Sequence, residues 1–176
     1  MPCYKLSKKD DKNNFYIKRY LSMETNHNFI VLLDDIRSVL NVGAILRTCD
    51  GVGVKKIILC GITPQSNHKK LTKTALGAEN YVEIEYYKNS EEAVQKLKKE
   101  GYVMYSVEQT KNSVGYNMIK YSSKSCFVFG NEITGVDIKL IEESDYCIEI
   151  PMYGKKNSLN VSTCVGIILY NAISNL

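Results

Sequence analysis

Apolar residues gather along this chain in short runs separated by stretches of helical spacing. Phe29-Ile-Val-Leu-Leu33 ends in Asp34-Asp35 and reads as a strand buried on both faces, as strands of parallel sheets are. Lys56-Ile-Ile-Leu-Cys60 predicts a second strand, closed by Gly61 and Pro64, and residues 81–86 a third that alternates through Val82, Ile84 and Tyr86. Further strands are predicted over 102–107, 126–129 and 147–150. Between them, 41–50 sets Ile45, Leu46 and Cys49 on one side of a helix. Residues 90–100 form an amphipathic helix with Ala93, Val94 and Leu97 inward and Ser90 as its N-cap. A short helix over 137–143 separates the last two strands, and a nearly all-apolar helix runs from 159 to 172. This alternation predicts an α/β fold with a mostly parallel sheet flanked by helices. Nothing divides the chain from 28 to 176, so one domain is expected there. A polar, basic arm over 1–27 precedes it, with one helix near 16–23.

Composition narrows the function classes. The 176 residues are 44% hydrophobic and 24% charged, which is ordinary for a globular domain, and the net charge is +4. Lysines cluster in the N-terminal arm, at Lys69, Lys70 and Lys73, and at Lys155 and Lys156, which permits an anionic partner. No stretch reaches the roughly 18 apolar residues of a membrane helix, and the N-terminus has no apolar core of a signal peptide. The six cysteines form no C-x-x-C pair, and only His27 and His68 could join them. A metal site is therefore not expected, and reduced, buried thiols in the cytoplasm are.

In parallel sheets, ligands bind beyond the carboxyl ends of the strands, so the loops there carry the chemistry. Three have unusual composition. In the first, Asn41 can cap the helix, Gly43 lets another segment approach closely, and Arg47 lies amid apolar neighbours, where partial burial is expected. A buried guanidinium requires a partner, either a carboxylate such as Asp34 or Asp50 or a phosphate. In the second, a strand runs into Gly130, followed by Asn131 and Glu132; an ordinary glycine turn with a capping acid would look the same. In the third, Pro151 and Gly154 shape a loop, Lys155 and Lys156 add charge, and Ser158 and Asn160 open the final helix, with Ser158 able to cap it. Neither a phosphate-binding loop nor a dinucleotide fingerprint is present, which argues against other nucleotide-using α/β enzymes.

The segments NVGAILRT (41–48), FVFGNEITGVD (127–137) and IPMYGKKNSLNVS (150–162) together resemble, in order and spacing, the three signature motifs of the SpoU (TrmH-like) RNA 2′-O-ribose methyltransferases of the SPOUT superfamily. The runs at 60–79 and 106–110 are similar to that family as well, and the resemblance extends from about residue 28 onward. It implies a C-terminal deep trefoil knot, a rare exception to ordinary topology. It further implies a pocket for S-adenosyl-L-methionine formed by Val107, Gly130, Ile150, Met152, Ser158 and Leu159. Arg47 would act on the ribose 2′-hydroxyl, with Asn41, Glu132, Ser158 and Asn160 as its catalytic companions. The family proposal makes that arginine a general base. Because a guanidinium is essentially never deprotonated, phosphate binding, orientation of the hydroxyl and stabilisation of developing oxyanion charge are easier roles for it.

The resemblance also implies a homodimer, which would suit the final helix, since Val161, Val165, Ile168, Leu169 and Ala172 spread around it. Structured RNA is the expected substrate, tRNA first and rRNA second, held by shape and by lysines on phosphates. The competing reading is a non-catalytic RNA-binding relative acting in ribosome assembly.

Overall fold

A computed structural model describes residues 26–65 and 69–176, so the expected arm and its helix at 16–23 lie outside the described residues except for 26 and 27. The elements are β1 (Ile30–Asp34), α1 (Val39–Val52), β2 (Lys56–Cys60), α2 (Lys69–Ala75), a 3-10 turn (Ala78–Asn80), β3 (Glu83–Tyr87) and α3 (Ser90–Lys99). They continue as β4 (Val103–Val107), β5 (Val114–Gly115), β6 (Ser125–Phe129), α4 (Ile138–Glu143), β7 (Tyr146–Glu149) and α5 (Val161–Ser174). The strands form one seven-stranded sheet in the order β3-β2-β1-β6-β4-β7-β5, and each pairing is parallel. The expected α/β fold, with a parallel sheet flanked by helices, is therefore observed.

The sheet separates two cores, and the alternation of side chains along each strand feeds both. From β1, β2 and β6, Val31, Leu33, Ile57, Leu59, Phe127 and Phe129 point to the layer of α1 and α5. Ile30, Leu32, Ile58, Cys126 and Val128 point to the layer of α3 and α4. All five residues of β1 and of β6 are buried, which explains their unbroken apolar runs.

The helix starts differ from expectation, because an N-cap residue must keep an extended backbone and Asn41 and Ser90 are already helical. Ser38 caps α1, accepting the N–H of Asn41 at 3.3 Å, and Asn89 caps α3, accepting that of Glu91 at 2.8 Å. Asn160, not Ser158, caps α5, so Leu159 stays outside the helix. Two elements have no signal in the hydrophobic pattern: α2 is polar apart from Leu71 and Ala75, and β5 is only two residues long.

The expected spread of apolar residues around α5 is observed, with Val161 half-buried at its start. Val165, Ile168, Leu169 and Ala172 are all fully buried within one chain. The reason is α1, which lies against the flank that the sheet leaves open, with Gly166 facing Thr48 and Gly51 facing Tyr170.

On its other flank α1 meets α2 through Gly43. A Cβ on Gly43 would overlap Thr74 Oγ1, lie 2.6 Å from Thr74 Cβ and approach the Ala75 nitrogen to 3.1 Å. Alanine in place of glycine usually stabilises a helix by about 1 kcal/mol. At Gly43 overpacking of about 1–3 kcal/mol outweighs that gain. Gly43→Ala is expected to lower the urea midpoint of unfolding, whereas Gly51→Ala, whose new methyl meets only the flexible tip of Tyr170, leaves it unchanged or raises it.

Candidate functional site

Because every strand runs the same way, the ends of β1, β4, β6 and β7 meet at one edge of the sheet. The loops that follow β4, β6 and β7 surround a cavity of about 850 Å³. Val107, Gly130, Ile150, Met152, Ser158 and Leu159, the residues expected to bind a cofactor, all line it, and so do Glu132 and Asn160.

The loop after β6 folds back on itself, with Asn131 bridged to Gly135. A side chain on Gly130 would overlap the Gly135 carbonyl, and Gly135 itself takes a left-handed φ of 75°. Glu108, which follows β4, lies under this turn. Its carboxylate accepts the N–H of Val136 at 3.0 Å and that of Gln109 at 2.8 Å. The Asn131 side chain donates to the Asp35 carbonyl at 2.7 Å, which ties the loop to the end of β1. The Gln109 side chain donates to the Asn157 carbonyl at 2.9 Å and joins the loops after β4 and β7.

A directional relay runs along the cavity rim. The Glu132 carboxylate accepts from the backbone N–H groups of Arg37 at 2.9 Å and Ser38 at 3.1 Å, and from Asn41 Nδ2 at 2.8 Å. The Asn41 carbonyl oxygen then accepts from Asn160 Nδ2 at 3.1 Å. The Asn160 oxygen in turn accepts the Ser162 N–H at 2.9 Å. An ionised carboxylate can only accept and a backbone N–H can only donate, so the two ends dictate how both amides are turned. Burial opposes ionisation of Glu132, but the donors from Arg37, Asn41 and Ser38 outweigh it and hold its carboxyl below the ordinary range.

Arg47 departs from expectation. It is exposed on the solvent side of α1 and makes no hydrogen bond or ion pair with any described residue, so neither Asp34 nor Asp50 partners it. Ile45, Leu46 and Cys49, its apolar neighbours in sequence, face the core, and the helical turn carries position 47 away from them. Neither Arg47 nor Asn41 lines the cavity, though Asn41 reaches it through Glu132 and Asn160. Ser158 is exposed at the mouth. Glu108 and Gln109 had no place among the expected site residues. Their signals in the sequence are that they directly follow a buried strand and fall in the run at 106–110 that resembles the family.

The cavity suits a small organic ligand in size, within the roughly 300–1,000 Å³ of such sites. Its walls offer loop backbone along with side chains. Among the described residues, no group of three or more His, Cys, Asp or Glu could hold a metal ion.

Residues 28–170 match the SpoU rRNA Methylase family. The chain is 35% identical over 146 residues to a tRNA (guanosine(18)-2'-O)-methyltransferase of Aquifex aeolicus, covering 82% of this chain and 68% of that protein. It is 28% identical over 166 residues to the protein of the same name from Borreliella burgdorferi, covering 94% of this chain and 75% of that one. The fold superposes with a TM-score of 0.79 on the crystal structure of an AdoMet-bound rRNA methyltransferase from Sinorhizobium meliloti. That match has 29% identity and covers 85% of this chain but only 57% of the longer one.

Replacing the Glu132 carboxylate tests the relay. Glu132→Gln is expected to lower stability at pH 7 by about 1 kcal/mol, because an amide cannot accept from all three donors. The folded-state pKa of Glu132 is depressed, so its contribution is present above the unfolded value, near pH 4.5, and is lost as pH falls through the folded value. Denaturation midpoints of the two proteins should therefore differ at neutral pH and converge in acid.

Proposed function

Because the chain belongs to the SpoU methylase family, we propose that it transfers a methyl group from S-adenosyl-L-methionine to a ribose 2′-hydroxyl of structured RNA, tRNA first and rRNA second. The observation that carries this reading is the meeting of the glycine-turn cavity with the Glu132–Asn41–Asn160 relay at one sheet edge. When bound, S-adenosyl-L-methionine supplies an electrophilic methyl group on a sulfonium centre. The chain's own part is to hold and orient. Backbone groups after Val107, Gly130 and Ile150, with Met152, Ser158 and Leu159, enclose the cofactor. The relay keeps the rim at Asn41 and Asn160 fixed, so little reorganisation accompanies the reaction.

Arg47 meets the RNA. Its exposed guanidinium, without a partner among the described residues, is available to grip a phosphate and set the 2′-hydroxyl against the cavity mouth. Lys155 and Lys156, exposed in the loop after β7, and the basic arm over 1–27 add phosphate contacts. The preference for tRNA is supported by the names of the Aquifex and Borreliella relatives.

The reading extends to architecture. The C-terminal segment threads through a preceding loop as a trefoil knot. Support comes from the sheet order, in which β7 lies between β4 and β5, and from the Gln109–Asn157 tie between the two loops concerned. The protein is a homodimer, with Leu40 on α1 and Tyr170 on α5, each more than half exposed, in the contact. A reducing cytoplasm suits the five cysteines that are free among the described residues; burial pushes the Cys60 thiol up to about 12, where it stays protonated and inert.

Arg47→Ala is expected to leave cofactor affinity by calorimetry within about twofold while abolishing tritium-methyl transfer to bulk tRNA; normal methylation by this variant would remove Arg47 from the reaction. Cofactor binding by the native protein without any RNA labelling would favour the non-catalytic RNA-binding reading. Comparing 2′-O-methyl positions in total RNA from a deletion strain and its parent would identify the nucleotide. Sedimentation at micromolar concentration should return twice the 20.0 kDa chain mass, and a monomer would overturn the dimer.

A further inference from the structure

The charged side chains lining the cavity are all of one sign. Glu108, Glu132 and Glu149 line it, and among the described residues no lysine or arginine does. Lys155 and Lys156 belong to the same loop region but are turned out to solvent, away from the lining. Resting on the reading that the cavity takes S-adenosyl-L-methionine, we infer that these carboxylates let the protein tell its charged cofactor from the neutral demethylated product and so speed product release.

The chemistry of the two ligands makes this possible. Both carry an ammonium and a carboxylate, which cancel. The cofactor adds a sulfonium and is a net monocation, whereas S-adenosylhomocysteine has a neutral thioether at that position. One positive charge therefore disappears in the reaction, at an atom inside the cavity. A sphere of the cavity's volume has a radius of about 6 Å, shorter than the screening length of about 8 Å at physiological salt. A charge near its centre therefore interacts with each carboxylate of the wall.

The three carboxylates are not equivalent. Glu132 faces the backbone N–H groups at the start of α1 and the Asn41 amide, which offset much of its charge. Glu108 accepts two backbone N–H groups beneath the glycine turn. Among the described residues the Glu149 carboxylate accepts only the Ser113 hydroxyl, at 2.7 Å, and so keeps the most charge for a ligand. The N-terminus of α5 also faces the cavity and opposes the three acids, but with only about half a positive charge, and Asn160 already engages the Ser162 N–H there. The balance remains negative.

Calorimetry on the full chain tests this with three ligands: the cofactor, S-adenosylhomocysteine, and an analogue with a protonated amine in place of the methylsulfonium. The native protein should bind both cations more tightly than the neutral product, and rising salt should narrow that difference. Glu149→Gln, which leaves the glycine turn untouched, should reduce the ratio of product Kd to cofactor Kd by about 3- to 10-fold. Weaker cation binding would carry that change, and Glu108→Gln should act in the same direction. If Glu108→Gln also disturbs the turn, all three affinities fall together and their ratio still reports the charge. A ratio unmoved by either variant and by salt would overturn the inference and leave the cofactor assignment standing. Failure of the native protein to bind any of the three would overturn both.

Discussion

The candidate site depends on one hydrogen-bonded chain, from the Glu132 carboxylate through the amides of Asn41 and Asn160 to the first turn of α5. It joins three segments that are distant in sequence and share no strand or helix. Each member has its direction fixed by the next, so no amide can flip without leaving two like groups facing each other. Loops are ordinarily the loosest parts of an α/β domain. At this sheet edge they are tied to one another and to the start of α1 by side-chain hydrogen bonds.

Polarity within the site follows the same logic. Donors from α1 keep Glu132 ionised, Glu108 is fixed by the turn it supports, and the cavity wall remains acidic although the protein carries net positive charge. Lys155 and Lys156 lie outside that wall, exposed to solvent. On the proposed reading, the outer surface would attract a polyanion and the cavity a small cation. A phosphate entering the cavity would meet repulsion, which leaves the ribose edge as the part of the RNA that fits its mouth.

The sheet and the loops that matter were legible in the sequence because strands buried on both faces leave unbroken apolar runs, and their ends locate the ligand loops. The six positions expected to face a cofactor share one cavity, and Asn41 lies within hydrogen-bond reach of both Glu132 and Asn160. What the sequence concealed has physical causes. The apolar neighbours of Arg47 in sequence point elsewhere on the helix, so its surroundings were misread. The caps were misplaced by one to three residues because Ser38, Asn89 and Asn160 differ from their neighbours in backbone angle and not in residue type. The role of Glu108 depends on a turn that arrives more than twenty residues later, and a lone acid after a strand does not announce that.

One consequence of the all-parallel sheet concerns the route by which the protein reaches this state. Parallel neighbours cannot be joined by a tight turn, and β1, inside the sheet, pairs with β6 from the far half of the sequence. The two side-chain bonds of the relay close separations of 91 and 119 residues. Loop-closure entropy grows slowly with length, by about 0.6 kcal/mol per doubling, so these separations slow folding more than they weaken the folded state. High contact order places the domain among slow folders, and until β6 docks, one edge of β1, apolar except for Asp34, is open to unwanted strand pairing. The site's residues span 37 to 164, so no short fragment contains it, and it forms only once the whole sheet has closed.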